Sequence, residues 1–208
     1  MNIALPFSFF RIPFYSPAEL RIDVDPSKAV PGESLGVIYD RIRSPGDRLN
    51  GLPTFGLHDP DLKIHIREAD GEFYAYVEDT KRQCLAGSTV FNRLVEAGRR
   101  ADRHLRSPHS RYLPQYQQRG IATAVYDWAL ATGICLMTGA RQSAGAHALW
   151  LSLARRYESG FADLRNKKLT YLSRTIPQED LGQLHTRMFL IGREWSLPQF
   201  CDAVDMRR

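Results

Sequence analysis

Between residues 60 and 95 the chain alternates apolar and polar side chains with a period of two. Leu62, Ile64 and Ile66 interleave with Lys63, His65 and Arg67, and Phe73, Ala75 and Val77 interleave with Tyr74, Tyr76 and Glu78. Successive side chains of a strand point to opposite faces, so this pattern predicts half-buried strands. Ala69-Asp70-Gly71 and Asp79-Thr80-Lys81-Arg82 supply turn chemistry, and the run 85–91 continues as a third strand. The spacing predicts an antiparallel meander. His65 falls on the polar phase and reads as a solvated or face residue, not a ligand.

The period changes after Gly120. Ile121, Ala122, Val125, Trp128, Ala129 and Thr132 recur at helical spacing, and Gly133 is a stop signal. The run 134–137, Ile-Cys-Leu-Met, reads as a strand buried on both faces. A strand at 110–113 ahead of that helix completes a strand–helix–strand unit. Such a unit implies a parallel pair with a right-handed crossover. Ser143 then reads as an N-cap, with Ala146, Leu149, Trp150, Leu153, Ala154 and Tyr157 on one face of a second helix. Two late strands are predicted at 169–173 and 186–191, and a short helix at 34–42 with Ser34 as cap. Residues 93–97 either close the third strand or open a helix, and Ser107-Pro108 ends any helix there. With no internal repeat, the simplest organisation is an extension over residues 1–58 and one body over 59–208.

Composition narrows the class. The chain has 208 residues, 43% hydrophobic and 25% charged, as expected of a globular protein with a real core. No apolar run approaches the roughly 20 residues of a membrane span, so no membrane association is expected. The first residues are aromatic, with Phe7, Phe9, Phe10, Phe14 and Tyr15, but Arg11, Pro6 and Pro13 interrupt them. This reads as a strand or arm packed on the body, or equally as a homodimer contact, rather than a signal peptide. Cys84, Cys135 and Cys201 lack CxxC spacing and have no paired His, which reads as free thiols in a reducing cytoplasm and no metal. The net charge of +5 is partly concentrated in Arg99, Arg100, Arg103, Arg106 and Arg111, with His104 and His109. That cluster would suit a nucleic acid, an acidic protein, or the rim of a polyanionic cofactor.

The chemistry concentrates at Tyr112-Leu113-Pro114-Gln115-Tyr116-Gln117-Gln118-Arg119-Gly120-Ile121-Ala122-Thr123. A strand end, a polar turn with Gly and a helix N-terminus make an anion site, because the first N–H groups of a helix have no internal partner. Gln117-x-x-Gly120-x-Ala122 and the lead-in Leu113-Pro114-Gln115-Tyr116 resemble the signature of the GNAT superfamily of acetyl-CoA-dependent N-acetyltransferases. Ser143-x-x-Ala146-x-x-Leu149-Trp150 falls in register with that superfamily's second signature, with Ser in place of Asn and Trp in place of Tyr. The order of elements over residues 60–195 also resembles that fold. The resemblance implies an α+β fold, a mostly antiparallel sheet with a central splayed parallel pair flanked by helices. It implies acetyl-CoA as co-substrate and a soluble, cytoplasmic enzyme.

The resemblance also implies site residues. Backbone groups of Tyr112 and Leu113 would lie near the thioester. N–H groups from Gln118 through Arg119, Gly120, Ile121 and Ala122 to Thr123 would meet the pyrophosphate, with Gln117 and Arg119 side chains adding contacts. Ser143 would cap its helix or touch the cofactor. Tyr157 is the candidate acid in place of the missing Tyr, and Asp102 and His104 are candidate bases. The acceptor would be an amine of a small molecule or protein, with a nucleic-acid association open. Two other readings stand beside this one. One is a non-catalytic nucleic-acid-binding module, in which 119–157 would mimic a helix-turn-helix. The other is a coenzyme A-binding fold that has lost turnover.

Overall fold

The computed structural model describes residues 34–176 and 185–208. The aromatic N-terminal arm, with its expected packing and dimer role, lies outside them. The period-two stretch forms β2 (Leu62–Ala69), β3 (Glu72–Asp79) and β4 (Cys84–Arg93), an antiparallel meander. A three-residue edge strand, β1 (Thr54–Gly56), pairs with β2. The chain then passes through β5 (Leu105–Tyr112), β6 (Cys135–Met137), β7 (Ser159–Arg165), β8 (Lys168–Ser173) and β9 (Thr186–Leu190). The nine described strands form one sheet in the order β1-β2-β3-β4-β5-β6-β9-β7-β8. Among the described strands β5 and β6 are the one parallel pair, as the strand–helix–strand unit requires.

Helices cover both faces. On one face α3 (Ile121–Ala131) and α4 (Ala144–Ala154) lie over Ile64, Ala75, Val77, Phe91, Leu136 and Phe161. On the other, α1 (Leu35–Arg43) lies over Tyr76 and Leu85. At the far end of that face, α2 (Arg99–His104) and α5 (Leu197–Val204) cover Leu105, Cys135, Met137 and Phe189. The fold is α+β, a mostly antiparallel sheet with a central splayed parallel pair between helices.

Several expectations need correction. His65 is buried, not solvated: α1 covers its face, its ring nitrogen lies 2.7 Å from Glu78, and Arg43 of α1 donates to the other Glu78 oxygen at 2.8 Å. The second helix stops at Ala154, so Tyr157 lies beyond it. The chain turns there into β7, whose Gly160 allows the Phe189 ring to approach: a Cβ would stand 2.7 Å from that ring. Gly160 hid the strand, because glycine reads as a breaker. β5 begins at Leu105, five residues ahead of the predicted strand. α3 and α4 are separated by β6, so no helix-turn-helix exists there. Cys135 and Cys201 are buried and Cys84 is half-buried. Among the described residues, no helix is long and apolar enough to cross a membrane.

Candidate functional site

β5 leaves its parallel partner early. The pair is joined at Leu105↔Cys135 and Arg106↔Leu136, whereas β5 continues to Tyr112 and stays paired with β4 throughout. The Leu113 N–H still reaches the Ala86 carbonyl, at 3.0 Å. Backbone groups alternate between the two edges of a strand. Counting back from Leu113, Arg111 and His109 turn their N–H and C=O to β4, and Tyr112, Ser110 and Pro108 turn theirs toward the gap beside β6. Pro108 therefore stands where the missing N–H would have met no strand, the kind of position to which proline in a sheet is confined.

The gap leads to the polar turn. A 3-10 turn, Pro114–Tyr116, buries the Tyr116 ring. Its hydroxyl donates to Asp79 Oδ2 at 2.7 Å, and Asp79 Oδ1 accepts the Arg82 N–H at 2.8 Å. Burial alone would raise the Asp79 carboxyl. The two hydrogen bonds and the nearby Arg82 guanidinium outweigh it and hold the group below its usual value. Gln117 Nε2 donates to the Tyr112 carbonyl at 3.0 Å, which ties the turn to the strand end. Arg119 pairs with Asp59 at 3.0 Å, and the Arg119 and Arg82 guanidiniums lie 5.4 and 5.7 Å from the Tyr116 ring centre.

Gly120 adopts φ +73°, a left-handed conformation, and α3 starts on the next residue with no side chain capping it. The first carbonyl engaged is that of Gly120, by the Ala124 N–H at 2.9 Å. The N–H groups of Ile121, Ala122 and Thr123 thus have no acceptor within the helix, at its positive end. A Cβ on Gly120 would meet nothing within 4 Å, so the turn is open to solvent. Free N–H groups, an open glycine and two nearby guanidiniums are groups of the kind that can accept a phosphate.

Under the gap runs a chain of hydroxyls. Ser110 Oγ donates to the Tyr126 hydroxyl at 3.3 Å. Thr89 Oγ1 lies 2.8 Å from Ser110 Oγ and 3.0 Å from the Tyr112 hydroxyl. Each hydroxyl has one proton. Since Ser110 gives its proton to Tyr126, its oxygen is left to accept from Thr89. The Tyr126 proton is left over. Burial pushes the Tyr126 phenol up to about 12, against the opposing Ser110 bond. The ring lies between Phe91 and Trp150, at centre distances of 5.8 and 6.2 Å.

The residues from Tyr112 to Thr123 come together as one strand end and turn. The candidate acids and bases do not join them. Asp102 and His104 sit on α2, ahead of β5, about 23 Å of strand from Tyr112. Asp102 is held by the Arg93 guanidinium. His104 packs edge-on against Trp195, and burial, then Arg103, Arg106 and Arg100, lower its pKa. Tyr157 donates to Asp127 at 2.7 Å, in the second half of α3. There it lines a cavity of about 260 Å³ with Arg156, Glu158 and Trp195, away from the turn. Ser143 accepts the Ala146 N–H at 3.1 Å as a helix cap. Trp150 is buried. Among the described residues no cluster of three or more His, Cys, Asp or Glu could hold a metal. Ser110, Thr89 and Tyr126 were missed by sequence reasoning. A tyrosine inside the apolar stripe after Gly120 was the available signal.

No protein-family model matches the chain, and no curated protein matches it. Two solved structures resemble it. One is a ribosomal-protein-S5-alanine acetyltransferase from Vibrio fischeri, 16% identical, with a TM-score of 0.34, over 60% of this chain and 64% of that one. The other is a GNAT superfamily phosphinothricin acetyltransferase from Sinorhizobium meliloti in complex with AcCoA. It is 16% identical, with a TM-score of 0.35, over 62% of this chain and 70% of that one. At that depth the likeness carries no argument about this chain, which spans less than two thirds of the first structure.

Proposed function

We propose that this chain binds acetyl-CoA in the gap beside β5 and transfers the acetyl group to an amine. One observation carries the reading. β5 parts from β6 after Arg106, and the gap runs to an uncapped helix start at an open left-handed glycine. The residues fit the coenzyme. N–H groups from Gln118 to Thr123 would hold its pyrophosphate, with Arg82 and Arg119 at the rim. The gap-facing backbone of Pro108, Ser110 and Tyr112 would hold its amide-bearing arm as a strand would. Bound there, acetyl-CoA supplies a thioester whose carbonyl carbon is open to an amine.

The chain's own groups can serve that chemistry. A gap-facing N–H of Ser110 or Tyr112 can donate to an oxygen that gains negative charge. Tyr126 remains protonated at neutral pH, because its phenol is pushed up to about 12, and its unused proton can be donated to a departing sulfur. The acceptor is a small molecule or a protein amine. Incubation with acetyl-CoA and a pool of primary amines, with free thiol read by a disulfide reagent, tests the reading. Amine-dependent thiol release supports it. Tight binding without release favours the second reading, a coenzyme-binding fold without turnover, which Trp150 in the second signature motivates.

A further inference from the structure

The face of the sheet opposite α3 has a strip, along β5, that no described helix covers. α1 lies over Tyr76 and Leu85, while α2 and α5 lie over Leu105 and the strands beyond it. Two rows of the register run from beneath α1 out to that strip. Arg67, Tyr74, Val90 and His109 form one row; His65, Tyr76, Ser88 and Arg111 form the other. His109 and Arg111 are exposed, on the strand that borders the gap. Among the described residues neither side chain has a hydrogen bond or ion pair.

The acids of this face are already engaged. Glu78 is shared by His65 and Arg43. Glu72 accepts the Tyr74 hydroxyl at 2.9 Å and the Arg93 N–H at 3.2 Å. Arg67 lies 5.5 Å from the Tyr74 ring centre. What remains free is an unpaired guanidinium and an imidazole, about 7 Å apart along β5.

We propose that this strip is the acceptor site and that it takes a primary amine carrying a carboxylate or phosphate; the inference rests on the acetyl-transfer reading above. Arg111 holds the anion, as a planar donor fork does best. His109 accepts one proton from the acceptor ammonium, leaving a neutral amine and an imidazolium. The amine nitrogen forms the new C–N bond and the C–S bond breaks. Its surplus proton leaves, the sulfur departs as thiolate and is protonated, and one net proton passes to solvent. His109 is thus a catalytic base on the acceptor side, opposite Tyr126.

The test titrates the CoA-loaded protein calorimetrically with β-alanine and O-phosphoethanolamine, against neutral β-alaninamide and ethanolamine. The anionic amines should bind about tenfold more tightly, and the stronger of the two identifies carboxylate or phosphate. Arg111→Ala should abolish that preference and Arg111→Lys keep part of it. His109→Gln should leave acetyl-CoA and amine affinity within about twofold while lowering turnover about a hundredfold. Failure of both anionic amines to bind overturns the proposal. So does a preference that survives Arg111→Ala, or turnover that survives His109→Gln. Each of those results leaves the coenzyme reading standing, whereas no binding of acetyl-CoA removes both.

Discussion

The Ser110 hydroxyl, on a gap-facing residue of β5, donates to the Tyr126 hydroxyl of α3 at 3.3 Å, which leaves Tyr126 with a proton to give. Tyr126→Phe deletes that donor without changing the ring. Turnover should fall by about ten- to a hundredfold. Acetyl-CoA affinity should stay within about twofold, because the Gly120 turn is untouched. Steady-state kinetics beside a binding titration separates the two effects.

The same tyrosine makes a stability prediction. Burial raises its folded-state pKa from 10 to about 12. The stabilisation is complete below pH 10 and is lost as pH rises to about 12, because the unfolded chain ionises first. The loss amounts to at most about 3 kcal/mol. Tyr112, in the same hydroxyl chain, is pushed up by burial as well and adds in the same direction. Denaturant unfolding at a series of alkaline pH values should show stability falling above pH 10. Tyr126→Phe should flatten that fall.

Gly87 lies against the end of β5, and a Cβ there would stand 2.4 Å from the Arg111 carbonyl oxygen and from the Tyr112 ring. Backbone cannot yield cheaply, so Gly87→Ala should cost on the order of 2–4 kcal/mol and displace β5 from β4. Thermal unfolding should show the loss. Gly120→Ala is the contrast. There the space is open and only the left-handed backbone resists, at about 1 kcal/mol.

Asp79 secures the turn from below. Its carboxylate is held below its usual pKa, so the stability it provides is present above about pH 4 and is lost as pH falls further. Tyr116→Phe removes the 2.7 Å bond to Asp79 and should cost about 1–3 kcal/mol. It should also reduce the acid sensitivity. Unfolding measured from pH 6 to about pH 3, with and without the substitution, checks both effects.

The meander, the α3 helix and the β6 strand were legible because period two and period 3.6 are imposed on single chains by one apolar side. α5 was legible in principle, since Ser196 and Gln199 form a capping box ahead of it, but its eight residues make too short a periodic stretch to stand out. β5 was not legible at its start. Pro108 argues against a strand wherever both edges are paired, and only the departure of β6 makes it acceptable. His65 was misread for a related reason: an alternating strand does not disclose that a helix covers its polar side. The strand end, turn and helix start around Gly120 were legible because their signals are local. The hydroxyl chain joins Thr89, Ser110, Tyr112 and Tyr126 from three elements and depends on register.

In the proposed function the turn at Gly120 and the gap beside β5 hold acetyl-CoA. Calorimetric titration of the protein and of Gly120→Val with acetyl-CoA decides the matter. The predicted result is one-to-one binding in the micromolar range that weakens about a hundredfold in Gly120→Val, whose branched side chain would fill the open space at the helix start while the fold remains cooperative. No heat of binding to the unsubstituted protein at millimolar acetyl-CoA, or equal affinity in both proteins, would contradict it.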